Sequence, residues 1–296
     1  MISSSPIPKF GTESSRTERR SLHTRTLTAG AGERKAAARR AGCTTLPAVT
    51  RVHLKPGHIQ PVWAGHPWIY AQAIARVDGA PRAGDEVEVL DPEGKLLGRG
   101  FFSPKSAIPV RIVSPRDEGP VDSKLLARRF DEAAELRRDI LGLPSADCTG
   151  YRLVNSEGDR LPGVIVDVFG DAARIQVATA GMRRRIEEIV GHVARVAHVS
   201  TVLDVALDRQ KDEGFVSEGG VLRGTNVDAL RFRDRGFELE IPAEMTQKTG
   251  CYFDQRDNRA WVEEHARGRR VLDAYSYIGA IGFGAARGGA ESVLSI

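Results

Sequence analysis

The segment that most constrains the fold is RVLDAYSYIGAIGFGAARGGAESVLSI, residues 270–296. An apolar run, a glycine-containing loop, a stretch of small residues and a second apolar run predict a strand, a loop, a helix and a parallel strand. This order is typical of α/β proteins, in which a ligand approaches the loop backbone and the free N–H groups of the helix start. Because Gly279, Gly282 and Gly284 lack the GxGxxG spacing, the loop alone is only a weak indication of a nucleotide-like ligand.

Two polar features lie close to this loop. Asp273 lies inside the apolar run, where a carboxylate is costly to bury without a partner. It either contacts a ligand or caps the strand end. Upstream, TGCYFDQRDNRAWVEEH (249–265) predicts a helix that starts at Gln255 and is capped by Asp254. Its two arginines, asparagine and second acid are more polar groups than a helix start requires.

Length and composition describe a globular protein of two or three domains, with 296 residues, 41% hydrophobic and 28% charged. No apolar run approaches the roughly 18–20 residues that cross a bilayer, so no membrane partner is expected. Cys43, Cys148 and Cys251 form no CxxC pair. They therefore favour neither a zinc site nor a disulfide framework, and a cytoplasmic location is expected.

The positive charge is concentrated at the start of the chain. The formal net charge is +4, of which residues 1–45 contribute +6 and the remainder −2. The body is therefore not basic overall, and the charge is no argument for nucleic-acid binding. Residues 1–48 are rich in Ser, Thr, Arg and Ala without an apolar period, which predicts a disordered basic tail. The alternatives are a polybasic RNA arm, a mitochondrial transit peptide and a misplaced start codon.

Residues 49–118 predict a small β-barrel. Short strands and turns alternate there, as in EVEVLD (86–91), LLGRGFFS (96–103) and IPVRIVS (108–114).

Residues 119–243 predict an α+β domain. The expected elements are a helix over 122–142 behind a cap at Asp122, a hairpin over 163–180, a helix over 182–197, a strand over 201–208 and a hairpin ending near Pro242.

Three motifs in this order resemble those of one enzyme family. KTGCYFDQRDNR followed by VLDAYSYIGA is similar to the TGFFLDQR…VLNxFSYTGGF pair of class I S-adenosylmethionine-dependent rRNA methyltransferases. LKPGHIQPVWAGHPWIY (54–70) resembles the start of their PUA domain, with its GHPW(I/V)(F/Y) motif. LVNSEGDRLPGVIVDVFG (153–170) resembles their EGDxLPGLIVD middle-domain signature. The nearest group is the bacterial 23S rRNA cytosine-5 methyltransferases with an N-terminal PUA domain, and the similarity covers residues 52–296.

The resemblance implies an α+β and α/β multidomain protein. Its parts would be a PUA-like β-barrel (49–118), an α+β middle domain (119–243) and an incomplete Rossmann-like class I methyltransferase domain (244–296). S-adenosylmethionine is the implied cofactor and ribosomal RNA the implied partner. The implied cofactor-binding residues are Asp254, Gln255, Arg256, Asp273, Tyr275, Ser276 and Gly279.

RNA contacts on the barrel are expected from Lys55, His66, Trp68 and Arg111. Trp68 has a competing interpretation as a core aromatic side chain of the small barrel. His66, which precedes Pro67, has one as a residue that shapes a turn.

The loop after Asp273 departs from the family pattern. Ile278 replaces a threonine, Ala280 a glycine and Ile281 a phenylalanine. A hydroxyl is lost, and Ala280 adds a Cβ where the backbone approaches the ligand. These changes predict weak cofactor binding.

The family's ribose-binding acid and catalytic cysteine would both lie beyond Ile296. Cytosine-5 methylation needs a thiolate that attacks the ring. Cys43 lies in the predicted tail, Cys148 in a linker, and Cys251 replaces an aromatic residue, so none is expected to be this nucleophile. We therefore expect a C-terminally truncated, inactive fragment, with no catalytic residue and no metal site assigned.

Two other functions compete with this interpretation. One is an RNA-binding module without catalysis, in which the methyl-transfer domain has degenerated. The other is a dinucleotide oxidoreductase, which the glycine spacing disfavours. The target nucleotide stays open, as does the oligomeric state, for which a homodimer is one candidate.

Overall fold

A computed structural model describes residues 50–296, apart from the side chains of residues 208, 209 and 248. The predicted tail over residues 1–48, with Cys43, lies outside the described residues. No helix in the described part of the chain is long and apolar enough to span a membrane.

The first sheet contains six strands and covers most of the predicted barrel region. Its elements are β1 (Thr50–Leu54), the short helix α1 (Gln60–Trp63), β2 (Trp68–Ile69), β3 (Ile74–Asp78), β4 (Glu86–Leu90), β5 (Leu96–Phe102) and β6 (Val110–Pro115). The strand order is β2–β6–β5–β4–β1–β3, with β1 and β4 parallel and the other neighbours antiparallel. The three predicted strands are confirmed as β4, β5 and β6.

The second sheet, which we call the central sheet, contains five strands. Its strands are β7 (Gly150–Asn155), β8 (Val164–Phe169), β9 (Ala172–Val177), β10 (Thr201–Asp204) and β11 (Gly220–Arg223), in the order β11–β10–β9–β8–β7. The helices of this part are α2 (Ser123–Glu135), α3 (Ala180–Arg183) and α4 (Ile186–Ala197). α2 and α4 contribute Phe130 and Ile189 to the same core as Val166 of the sheet, and all three are fully buried.

Both predicted helices of this region differ in detail from expectation. Asp122 caps α2 as predicted, because its side chain accepts a 2.8 Å hydrogen bond from the Leu125 N–H. The regular helix ends at Glu135 and continues as a π-helical turn to Ile140. The helix expected over 182–197 is two helices, because the backbone of Arg185 leaves the helical region at φ −105° and ψ 18°.

The remaining elements are a hairpin and a small parallel sheet. They are β12 (Ala229–Asp234), β13 (Phe237–Pro242), α5 (Arg256–His265), β14 (Arg270–Asp273), α6 (Ala280–Arg287) and β15 (Ser292–Ser295). β12 and β13 pair antiparallel through a turn at Arg235 and Gly236, whose φ values of 53° and 78° match a two-residue hairpin turn. β14 and β15 pair in parallel, as the sequence predicts.

Hydrogen bonds connect the first sheet to the second part of the chain. The indole N–H of Trp68 donates to the carboxylate of Glu157 at 2.9 Å. The guanidinium of Arg184, which follows α3, donates to Asp85 at 2.7 Å. The two sheets are therefore joined by polar contacts as well as by the chain. The predicted domain boundaries at 118 and 243 stay predictions.

Candidate cofactor site

The loop between β14 and α6 has an unusual backbone. Three of its residues have φ values in the left-handed region, which is costly for residues other than glycine: 59° at Tyr275, 53° at Tyr277 and 72° at Gly279. Gly279 directly precedes the first turn of α6, where this conformation favours glycine. The Ser276 N–H donates to the carbonyl of Ile296 at 3.0 Å, which ties the loop to the end of β15.

Asp273 connects the end of β14 to α6. Its carboxylate is 6% exposed and accepts a 2.9 Å hydrogen bond from the Gly282 N–H in the first turn of the helix. A Cβ at residue 282 would lie 2.9 Å from the Ser295 hydroxyl oxygen and 3.2 Å from the Asp273 carboxylate. A larger residue at 282 would therefore force Ser295 and Asp273 to shift. The capping interpretation of Asp273 holds for one carboxylate oxygen, and the same side chain also borders the cavity described next.

A cavity of about 710 Å³ opens beside this loop. Four of the predicted cofactor-binding residues line it: Gln255, Asp273, Tyr275 and Ser276. The side chain of Tyr275 is 98% exposed, so it borders the cavity without being packed against the protein. The other walls combine apolar and polar groups, with Ile278, Ile281, Cys251, Gln247, Tyr252 and Arg259 among them.

The other predicted cofactor residues lie differently. Gly279 precedes the cavity-lining residue Ala280 and shapes the loop through its backbone. Asp254 is exposed and makes no capping hydrogen bond at the start of α5, which begins at Arg256. The guanidinium of Arg256 instead donates to Asp234 at 2.8 Å and to the Gly150 carbonyl at 2.6 Å. This position favours a structural role for Arg256, which holds α5 on the central sheet.

One wall of the cavity rests on the central sheet through a segment that we call the strap, residues 243–250. Arg174 on β9 is 1% exposed and donates hydrogen bonds to three carbonyls of the strap. Two of them, from Met245 and Thr249, lie 2.6 Å from its guanidinium, and the third belongs to Ala243. Burial lowers the pKa of the Arg174 guanidinium, and carbonyl oxygens compensate for the lost water. Arg174 thereby positions the strap that supplies Gln247 to the cavity.

Asp167 supports the same segment from the neighbouring strand. It is fully buried, accepts two 2.9 Å hydrogen bonds from Arg152 and contacts the hydroxyl of Thr249. Burial raises the pKa of Asp167, while Arg152 opposes the shift. Asp167 and Arg174 face each other in the register of β8 and β9. Sequence reasoning missed both, although a charged residue inside each of two apolar strands was a readable signal.

The two described cysteines are poor nucleophiles. Cys251 is 1% exposed, and burial raises the pKa of its thiol to about 12. Cys148 is also buried, and burial raises the pKa of its thiol as well. Because the thiolate is the reactive form, neither buried thiol is suited to attack a base. Among residues 50–296, no group of three or more His, Cys, Asp or Glu side chains is arranged to hold a metal ion.

The predicted RNA contacts separate into exposed and engaged side chains. Lys55 is exposed and donates to the Gln72 carbonyl at 2.8 Å. The exposed ring of His66 accepts a 3.2 Å hydrogen bond from the Trp68 N–H, as expected for a residue that shapes a turn. Trp68 is half-buried and bound to Glu157, which favours the packing interpretation.

Arg111 is engaged in an ion pair, and its predicted contact with RNA stays a prediction. Its guanidinium donates to Glu213 at 3.1 Å, and the Glu213 side chain is only 6% exposed. The hydroxyl of Ser103 contacts the same carboxylate. Arg111 therefore joins the first sheet to the segment after β10. The sequence could not predict this pair, because its members lie 102 positions apart.

Two regions of the described chain match known family models. Residues 52–115 match the family model of the PUA-like domain. Residues 152–296 match the family model of S-adenosylmethionine-dependent methyltransferases. The cofactor expected from the sequence is thus the one that this domain family uses.

Curated relatives extend the similarity across both domains. The chain is 34% identical over 249 residues to ribosomal RNA large subunit methyltransferase I of Alteromonas mediterranea. It is 36% identical over 250 residues to the protein of that name in Pseudoalteromonas atlantica. Each match covers 83% of this chain and 62% of the relative, so the chain spans less than two thirds of the relatives' length.

Solved structures confirm the multidomain fold class. An S-adenosylmethionine-dependent methyltransferase from Streptococcus mutans superposes with a TM-score of 0.68 at 19% identity. A methyltransferase complexed with S-adenosylhomocysteine superposes with a TM-score of 0.69 at 18% identity. Both matches cover 83% of this chain and 62% of the solved one. The described chain therefore has the expected fold class, a PUA-like β domain over residues 52–115 followed by a mixed α/β region over residues 152–296 that matches the methyltransferase model.

Proposed function

We propose that this chain belongs to the machinery that methylates ribosomal RNA with S-adenosylmethionine, in the cytoplasm, with carbon 5 of a 23S rRNA cytosine as the target. The observation that carries the proposal is the cavity after β14, with Gln255, Asp273, Tyr275 and Ser276 on its walls. Support for an RNA substrate comes from the matched PUA-like domain and from the names of the curated relatives.

The cavity fits the cofactor in size and chemistry. Ligand sites typically enclose about 300–1,000 Å³, and the volume of about 710 Å³ lies in that range. Ser276 and the free N–H groups at the start of α6 suit the carboxylate end of the cofactor. Ile278 and Ile281 suit its apolar parts, and Asp273 is an acceptor at the strand end. When bound, S-adenosylmethionine supplies an electrophilic methyl group.

Cofactor binding can be tested by ligand-detected NMR on the full chain, with S-adenosylhomocysteine and NAD⁺ compared. We expect weak binding of S-adenosylhomocysteine, with a Kd of about 0.1–1 mM, because the loop carries Ala280 and Ile278. Ser276→Ala should weaken this binding further. Trp261→Ala is the matched control, since Trp261 is exposed on α5 and does not line the cavity. Tighter binding of NAD⁺ would favour the oxidoreductase alternative.

We also propose that these 296 residues alone do not transfer the methyl group to cytosine. Cytosine-5 chemistry requires a thiolate, and the two thiols within residues 50–296, those of Cys148 and Cys251, are buried and unsuited to it. The test measures transfer of radiolabelled methyl groups to unmodified 23S rRNA. Transfer of the label to the RNA would contradict the proposed inactivity and would support methyltransferase activity of this chain. Binding of RNA with no binding of S-adenosylhomocysteine would favour the non-catalytic RNA-binding module.

A further inference from the structure

A second cavity, of about 610 Å³, lies in the cleft between the first sheet and the segment after β7. Val62, Leu97 and Ile112 are among its apolar lining residues. Trp63, Arg116 and Glu157 supply an aromatic ring, a cation and a carboxylate to the same cleft. Its size also lies within the range of ligand sites.

Trp63 is the unusual side chain of this cleft. It is 64% exposed, although a tryptophan ring carries one of the largest apolar surfaces of any side chain. The other two tryptophans each have a partner: Trp68 donates to Glu157, and Trp261 stacks on His265 at 4.2 Å. Within the described chain, no aromatic ring packs on Trp63. Its ring face is therefore available to a planar ligand.

The charged groups of the cleft complement a nucleotide. Arg116 is exposed and has no ion pair among residues 50–296, so its guanidinium is available to a phosphate. The carboxylate of Glu157 is held by hydrogen bonds from Trp68 and Ser156. Burial raises the pKa of Glu157, but these bonds outweigh burial and leave the pKa below its ordinary value. The carboxylate is thus a fixed acceptor at neutral pH.

We infer that this cleft holds one unpaired nucleotide of the RNA substrate, with its base stacked on Trp63 and its phosphate paired with Arg116. Proteins recognise single-stranded RNA by stacking splayed bases on aromatic rings and pairing the backbone with cations. Glu157 accepts a hydrogen bond from an N–H group of the base. The inference rests on the proposed function, because it names the RNA feature that this chain would bind.

The test measures binding of a fluorescently labelled single-stranded decaribonucleotide and of a matched duplex to the full chain. Trp63→Ala should weaken single-strand binding about tenfold, within the range found for loss of one stacked base, and duplex binding little. Trp63→Phe should retain most of the affinity, because a phenyl ring still stacks. Arg116→Glu should weaken binding several-fold and reduce its salt dependence.

Two control variants test whether a loss of RNA binding is specific to the residues of the cleft. Trp261→Ala removes an equally exposed tryptophan, and Arg82→Glu reverses an exposed charge of the barrel that does not line the cleft. Both should bind like the unmodified chain. If the unmodified chain binds RNA and Trp63→Ala binds equally well, the inference is overturned and the proposed function stands. If the unmodified chain binds no RNA, the proposed function fails as well. A second measurement uses iodide, which quenches the fluorescence of exposed tryptophans. If iodide does not quench Trp63 in the absence of RNA, another group covers its ring and the inference is overturned.

Discussion

The central sheet and the β14–β15 pair are both built from apolar strands, but only the first is covered on both faces. All four residues of β10 are buried, whereas Asp273 is the one buried residue of β14. Leu272 and Leu294 are 60% and 61% exposed. An apolar strand is therefore not a buried strand until helices or a second sheet cover it.

The two regions also differ in what they contribute to the protein. The central sheet holds the large core and carries Arg174, which positions the strap beside the cofactor cavity. The β14–β15 pair carries the cavity loop itself. Its attachment includes ion pairs from Arg287 and Arg235 to Glu263, at 2.6 and 3.0 Å. These side chains are between 21% and 35% exposed, and ion pairs so close to the surface contribute modestly to stability.

The largest expected difference comes from deleting one apolar side chain in each region. Phe130→Ala empties a fully buried position of the central core and should lower the free energy of unfolding by about 3–5 kcal/mol. Leu272→Ala removes an exposed side chain of β14 and should cost less than about 1 kcal/mol. Urea denaturation measures both. Equal losses would mean that β14 is covered in solution.

A smaller effect is expected from the link between the two regions. Arg174→Met removes the shared donor of the strap carbonyls and should cost about 1–3 kcal/mol in unfolding free energy. It should also weaken binding of S-adenosylhomocysteine. Arg231→Met is the control, because Arg231 makes an exposed pair with Glu240 and its loss should cost below about 0.5 kcal/mol. Unchanged ligand binding in Arg174→Met would separate the strap from the cavity.

The smallest expected effect is a pH dependence from Cys251, which packs beside the central sheet. The folded-state pKa of about 12 lies above the ordinary value of 9.0, so the stabilisation is complete below pH 9 and decreases as the pH rises towards 12. Between pH 8 and pH 10 the unmodified chain should lose about 1 kcal/mol relative to Cys251→Ala. Parallel thermal melts of the two proteins would detect this loss of stability. Identical pH profiles would show that the Cys251 thiol ionises as readily in the folded state as in the unfolded state.

Local patterns in the sequence were enough to predict most elements and part of the site. The hairpin at Arg235–Gly236 and the strand–loop–helix unit around Gly279 follow from neighbouring residues. The roles of Arg111 and Arg174 depend on partners 102 and about 70 positions away, which only the fold brings together. Four of the seven predicted cofactor residues line one cavity, because Gln255 directly precedes α5 and the other three lie at the end of β14 and in the loop after it. Arg256 does not, since its side chain turns towards Asp234.

The contacts between the first sheet and the rest of the chain have a consequence for target choice. Trp68 with Glu157, Arg111 with Glu213 and Arg184 with Asp85 join the two parts at three separate places. Parts joined at three places resist rotation about any single contact. An RNA held on the first sheet would then meet the methyl donor at a fixed span. Under the proposed function, the length of RNA between the first sheet and the cofactor cavity would set which base reaches the cavity, and a nucleotide inserted there would bring a neighbouring base to it.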